Sequence, residues 1–323
     1  MIDIPFKKEN FSGGPLRFMQ NLKHYLDSIG YNYTNNERPR DAGISFPINY
    51  PIGILAKYKE AGLPIIQRLD GIYYPSQHGD HYKLANSSIK EIYLNYASHV
   101  IFQSEYSKKQ CFEMLGEISK SKYSIIHNGV NKTLFYPVYD DNMPKRKITF
   151  VSIGLFRKKI MFLPIINALD SFVDDFDFEW NIIGPILDER LACFLDRKYI
   201  KYSGSKNLTE IAELLRSSDI YLHSQINDNC PNSVIEAISS GLPVIGFDTG
   251  AMPELCSFNK DLLAYVSNDV FQKSKDFDYK KLADKIKLCF NDYPKYKKIA
   301  IENSHLHDFN DCGKKYVEVF EKE

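Results

Sequence analysis

The sequence predicts an α/β chain of two doubly wound parallel sheets joined by a linker. Three observations predict it. Short apolar runs bounded by turn residues recur with helical segments between them, which is the pattern of parallel sheets rather than of hairpins. The chain has 323 residues, more than one ordinary core accommodates. The pattern lapses at PVYDDNMPKR, from Pro137 to Arg146, a polar stretch with two prolines and no periodicity, and then restarts. Domains are therefore expected over residues 1–138 and from residue 139 onward.

In the first half, strands are expected near IDIPF, YNYTN, AGISFPI, PIIQRLDG, SHVIFQS and YSIIHNG. After the first of these comes GPLRFMQNLKHYLDSIG, a helix in which Leu16, Met19, Leu22 and Leu26 share one face. Pro15 suits its start, and Gly30 stands where a C-terminal cap belongs. Past the linker, KITFVSIG opens a second series. FLPIINALDSF follows as helix, EWNIIGP and YIKYSG as strands, LTEIAELLRSSD as helix and IYLHSQ as strand. The series closes with the helix SVIEAISSG, the strands PVIGFD and LAYV, and Lys-rich helices whose lysines read as solvated faces. Open sheets of this kind bind ligands at the carboxyl ends of their strands, so a ligand held between the two domains is expected.

Bulk properties narrow the function. Hydrophobic residues make up 44% and charged residues 25%, ordinary for a soluble globular protein. The 41 basic residues balance the 41 acidic ones, so no overall field recruits nucleic acid or anionic lipid. Cys111, Cys193, Cys230, Cys256, Cys289 and Cys312 form no CxxC pair, which removes the usual zinc spacings and leaves reduced, mostly buried thiols as the expectation. The start MIDIPFKKEN has no apolar signal region and no run of about 18 apolar residues occurs, so a cytoplasmic location is the default.

The chemistry concentrates in NDNCPNSVIEAISSGLPVIGFDTGAMPEL, from Asn227 to Leu255. Pro231 wastes no amide hydrogen at a helix start, Asn232 or Ser233 can cap the open amides, and Gly241 ends the helix before a buried strand. A helix start aimed into a cleft offers amides and a positive dipole end to phosphate. Glu236 in the first turns can accept hydrogen bonds from vicinal hydroxyls, as acidic groups do with ribose, and Asp228 can reach a second set. The same residues also fit a plain turn followed by a favourable charge near a helix start.

This stretch resembles the signature of the retaining GT-B glycosyltransferases of family four, in which two acidic residues separated by seven others precede a helix, Gly-x-Pro-Val and Gly-x-x-Glu. Here they are Asp228 and Glu236, then GLPV from Gly241 and GAMPEL from Gly250. HNGVNKTLFYP, FSGGPLRF and SHVIFQSEYSK resemble further family segments in the expected order. The resemblance implies two Rossmann-like domains facing across a cleft, the second over residues 139–303, with a C-terminal helix at 304–323 returning to the first. It implies transfer of a sugar from a nucleoside-diphosphate sugar to a glycan or lipid-linked acceptor, with surface polysaccharide as the commonest destination. It implies no cofactor and no metal, peripheral association with the inner face of the membrane, and no nucleic acid partner.

Residue by residue, the resemblance gives Glu236 the ribose and Asp228, one methylene shorter than the usual Glu, hydroxyls of the donor sugar. It brings the backbone amides of Asn232, Ser233 and Val234 to the diphosphate. The family's Arg and Lys after the first strand of the second domain correspond here to Leu155 and Ile160; Arg157, Lys158 and Lys159 are the nearby substitutes, Arg157 and Lys159 foremost. They would stabilise charge developing on the leaving phosphate. Gly13 and Gly14 would let backbone approach the donor phosphates or the acceptor, though two glycines also permit a tight turn. Asp70, and second to it Arg68, are nominated for acceptor binding, with His78 and His81 expected in an exposed loop and Tyr73 and Tyr74 either stacking on sugar or packing. The family picture is front-face attack without an enzymic nucleophile, and no glycosidase-like carboxylate pair stands out.

Rival readings are a pseudoenzyme that binds nucleotide sugar or a partner without transfer, and an epimerase or phosphorylase of the same fold. A dehydrogenase fits less well, because FSGGPLRF does not complete GxGxxG.

Overall fold

The structure, a computed structural model, describes residues 1–4, 13–35, 38–39, 44–46, 50–138, 147–266 and 278–323. The predicted linker therefore lies outside the described residues from 139 onward. Two compact units emerge: residues 1–129 with 308–323, and the described residues between 130 and 307.

The first unit carries six parallel strands: β1 (Ile2–Asp3), β2 (Tyr33–Thr34), β3 (Ile44–Phe46), β4 (Ile65–Leu69), β5 (His99–Phe102) and β6 (Tyr123–Ile125), in the order β2-β1-β3-β4-β5-β6. The second carries β7 (Ile148–Ile153), β8 (Phe178–Ile183), β9 (Ile200–Gly204), β10 (Ile220–His223), β11 (Val244–Asp248) and β12 (Leu263–Tyr265), in the order β12-β11-β10-β7-β8-β9, again all parallel. Each strand expected from the sequence is present, because runs buried on both faces are continuous apolar blocks that announce themselves locally. Strand order reverses between β7 and β10, and that switch point is where doubly wound sheets open a crevice at their carboxyl ends.

Packing follows the apolar faces. In the first unit the helix Gly13–Ser28 buries Phe18, Met19, Leu22 and Leu26 in one core with Phe309, Cys312 and Tyr316 of the helix Phe309–Lys322. The first helix begins at Gly13, whose φ of +63° is left-handed, rather than at Pro15. The boundary between units falls at Gly129 and Val130, earlier than composition suggests, because Val130 and Phe135 are core residues of the second unit. Its return falls between His307 and Asp308 instead of at residue 304.

The second unit's central strands β7, β8, β10 and β11 are buried along most of their length. Trp180 is fully covered, and its indole N–H donates to Ser152 Oγ at 3.0 Å while that hydroxyl donates to the Leu222 carbonyl at 2.6 Å. These bonds satisfy the buried Trp180 indole and Ser152 hydroxyl, while each buried aliphatic side chain adds about 1.5–3 kcal/mol. The helix Leu208–Arg216 starts on a capping box in which Asn207 and Glu210 bond each other's amides. Cys193 is exposed and the other five cysteines are buried, all as free thiols.

Candidate functional site

At the switch point, β7 runs on into Gly154–Ile160 and β10 into Ser224–Pro231. Two side chains tie these segments together. Ser224 Oγ donates to the Met161 carbonyl at 2.6 Å. The buried Tyr221 phenol donates to the Ile153 carbonyl at 3.2 Å and also hydrogen-bonds the Ser233 side chain. Burial raises that phenol far above its ordinary range, so it acts as a neutral spacer between the end of β7 and the next helix.

That helix, Asn232–Ser239, is buried from Val234 onward, and only Asn232 and Ser233 are half-exposed. Its N-cap is Pro231, which makes no side-chain cap bond, so Asn232 and Ser233 stand one and two residues inside the helix rather than at the cap position. The amides of Val234 and Ile235 donate to the Pro231 carbonyl at 3.1 and 3.2 Å. Val234 therefore does not offer its amide to a ligand, because the tight first turn consumes it. Glu236 lies in the second turn with 0% exposure.

Asp228 is held from several sides. Gln225 Nε2 donates to its Oδ1 at 2.6 Å, and His223 Nε2 lies 3.3 Å from its Oδ2. Its carbonyl accepts from the Ala251 amide at 2.8 Å. The preceding Asn227 sits at a left-handed φ of 59°, with its Oδ1 accepting from the Thr249 hydroxyl at 3.1 Å. A Cβ at Gly250 would lie 2.5 Å from the Asp228 carbonyl oxygen, which is why the GAMPEL segment begins with glycine. Sequence reasoning missed His223; the only signal is an imidazole closing the otherwise apolar strand IYLH.

The basic cluster is displayed by an apolar underside. Phe156 stacks on Phe162 with centroids 4.7 Å apart, and both are buried in the sheet's core with Met161. Arg157, Lys158 and Lys159 are left exposed, and Leu155 is half-buried. Lys159 reaches toward the Phe194 ring, 6.0 Å from its centroid, and contributes with Arg190 to holding the Asp188 carboxyl below its usual range. Arg157 makes no ion pair among the described residues. The side chain of Ile160 lies outside them.

In the first unit, Asp70 pairs with Arg68, which is 2% exposed. The guanidinium also donates to Tyr316 Oη at 3.0 Å and Asn128 Oδ1 at 2.9 Å, and sits 3.7 Å over the Phe18 ring. Gln103 Nε2 donates to Asp70 Oδ1 at 3.2 Å. Arg68 is thus an internal organiser of strand ends, and Asp70 is its partner at the rim of the network. His78 is packed edge-on against the rings of Tyr73 and Tyr74 at 4.9 and 5.3 Å, not loose in a loop, whereas His81 is exposed. Gly13 and Gly14 are exposed, and space beside Gly13 is open, so its glycine answers to backbone conformation rather than crowding.

Residues 147–292 match the sequence model of the family described as Glycosyl transferases group 1. Over those residues the chain is similar to the group 1 glycosyltransferases. The matched segment contains β7 to β12 and the switch-point residues from Ile153 to Ala251. A Campylobacter jejuni relative, N,N'-diacetylbacillosaminyl-diphospho-undecaprenol alpha-1,3-N-acetylgalactosaminyltransferase, is 23% identical over 253 residues, covering 73% of this chain and 63% of the relative. An uncharacterized glycosyltransferase of Methanocaldococcus jannaschii is 26% identical over 187 residues, covering 55% of this chain and 49% of the relative. The chain thus spans between about half and two thirds of the curated relatives it matches.

Among solved structures, Anabaena HepE in complex with UDP and glucose superimposes with a TM-score of 0.70 at 15% identity, covering 100% of this chain and 99% of that one. WaaG, a glycosyltransferase involved in lipopolysaccharide biosynthesis, superimposes at 0.69 with 12% identity, covering 99% of each. The fold is accordingly GT-B, with two Rossmann-like units. No helix among the described residues is long and apolar enough to cross a membrane.

Proposed function

We propose that the protein is a retaining glycosyltransferase that moves a sugar from a nucleoside-diphosphate sugar to a glycan or lipid-linked acceptor in the synthesis of a surface glycan. The observation that carries this reading is the helix Asn232–Ser239 at the β7/β10 switch point. It is buried everywhere except at its first two residues and is preceded by the fixed carboxylate of Asp228. An amide-bearing helix start suits a diphosphate. HepE is described in complex with UDP-glucose, and the Campylobacter relative bears a name denoting transfer to a lipid-linked diphosphate; both support the assignment of substrate class.

In this reading Asn232 and Ser233 meet the diphosphate, Glu236 the ribose hydroxyls and Asp228 the sugar hydroxyls. Arg157 faces the β-phosphate. As the bond from the anomeric carbon to the phosphate oxygen breaks, its electron pair passes to that oxygen. The acceptor hydroxyl attacks from the same face and hands its proton to the departing phosphate. Arg157 is complementary to the charge that grows in this step, and it needs no metal to act. Asp70 and the Gly13–Gly14 turn belong to the acceptor side.

The test is a calorimetric screen against UDP, GDP, ADP and CMP and their sugar conjugates, without metal and then with magnesium. One nucleoside diphosphate should bind without metal. Silence across the panel would discard the donor site, and binding with no transfer to any acceptor would favour a nucleotide-sugar-binding pseudoenzyme. Arg157→Ala should lower turnover by about a hundredfold while donor affinity changes less than threefold, roughly the loss seen for removal of one preorganised transition-state donor. Equal losses in turnover and affinity would make Arg157 a simple ligand contact.

A further inference from the structure

We infer that His223 is a positioning residue, which with Gln225 sets the Asp228 carboxylate to read the sugar of the donor. This inference rests on the donor-site reading above.

His223 is the last residue of β10 and is 6% exposed. Its strand neighbours Tyr221 and Leu222 are fully covered core residues. Packing alone would be served there by another apolar side chain, whereas burying an imidazole costs free energy unless a polar partner receives it. Its Nε2 makes no hydrogen bond, and the polar atom it approaches is Asp228 Oδ2 at 3.3 Å, while Asp228 Oδ1 accepts from Gln225 at 2.6 Å. The two carboxylate oxygens thus face different groups, a hydrogen-bonding amide on the loop and an imidazole edge at the strand end. Each oxygen offers two lone-pair directions, so each can take a further hydrogen bond from a ligand hydroxyl.

The backbone is equally constrained. Asn227 is held left-handed, the Asp228 carbonyl is bonded by Ala251, and Gly250 presses against the Asp228 backbone at a distance no side chain permits. The short Asp side chain has few rotamers, and this arrangement fixes the one it uses. A carboxylate ordered before the ligand arrives loses no side-chain entropy on binding, so its hydrogen bonds appear fully in affinity and discriminate among hydroxyl patterns. A loop serving only as a turn has no need of two polar contacts to one carboxylate and three restraints on the backbone that carries it.

The test compares the intact protein with His223→Leu and His223→Gln, using UDP, GDP and ADP as free diphosphates and as their hexose and N-acetylhexosamine conjugates. The readout is the affinity increment of the best conjugate over its own diphosphate. Wild-type protein is expected to show such an increment. His223→Leu should lose about tenfold of it, as for one polar contact to a carboxylate, while binding the free diphosphate within twofold of wild type. His223→Gln, whose amide can still donate to Asp228, should recover most of the increment. An unchanged increment in His223→Leu, or equal loss of diphosphate and conjugate binding in both variants, would overturn the positioning role and leave the donor site standing. Failure of the wild-type protein to bind any diphosphate would remove the donor site itself and this inference with it.

Discussion

Glu236→Gln is expected to weaken binding of the cognate nucleoside diphosphate by about 10- to 100-fold. A charge-assisted hydrogen bond contributes roughly 1.5–3 kcal/mol, and each 1.4 kcal/mol is a factor of ten. Glutamine preserves the shape of the side chain, so the change tests charge and acceptor capacity rather than volume. The side chain is fully buried, which raises the competing account that Glu236 serves only the core of the second unit. Isothermal calorimetry and a thermal melt on the same variant separate the two. Lost affinity with an unaltered melting temperature assigns the carboxylate to the ligand, whereas a lowered melting temperature with unaltered affinity assigns it to the core.

Gly184→Ala should destabilise the second unit by about 2–6 kcal/mol, combining a disfavoured backbone conformation with overpacking of a close contact. Gly184 follows β8 with a φ of +122°, and a Cβ there would lie 1.9 Å from the Gly154 carbonyl oxygen at the end of β7. The two glycines let neighbouring strands continue together past the sheet, where Phe156 bridges Ile186 and the basic cluster begins. Against a total stability of about 5–15 kcal/mol, such a loss is large. Denaturant titration measures it directly. A midpoint within error of wild type would mean that the two strand ends do not approach each other closely.

These two positions differ in how far they could be read in advance. Glu236 was legible because a helix start, its acidic residue, the Gly-x-Pro-Val that follows and the next glycine all lie within one short stretch. Gly184 was not singled out at all, since nothing in IIGPIL states that another strand's carbonyl will occupy the space beside it. Asp228 was legible as a residue and illegible as a geometry: the loop that brings it back to His223 turns on the left-handed Asn227. The cations show the same division. Arg157 to Lys159 can be counted off from Gly154, yet Lys159 lies over the Phe194 ring, a placement set by the segment after β8.

In the first unit, the place of Asp70 at a strand end suggests a ligand contact. Its tie to Arg68 is local, but the reason Arg68 is buried is not. Tyr316, which accepts from its guanidinium, lies 248 residues away in sequence on the helix that returns to this unit. The linker is a further case. Polar composition pointed to 137–146, whereas the unit boundary is set at Gly129 by the packing of Val130 and Phe135, which are ordinary apolar residues in the sequence.

By itself the sequence determined the alternation of strands and helices, the presence of two doubly wound sheets and the short stretch that carries the acidic pair. Hydrophobic periodicity, turn residues and capping act over a few residues and are written in the chain directly. Only the tertiary structure decided which helix amides are already used, which glycines make room for a carbonyl, and which side chains hold Asp228 and Arg68. Those depend on strand ends and returning segments that meet in space after folding, through contacts whose sequence separation no local pattern encodes.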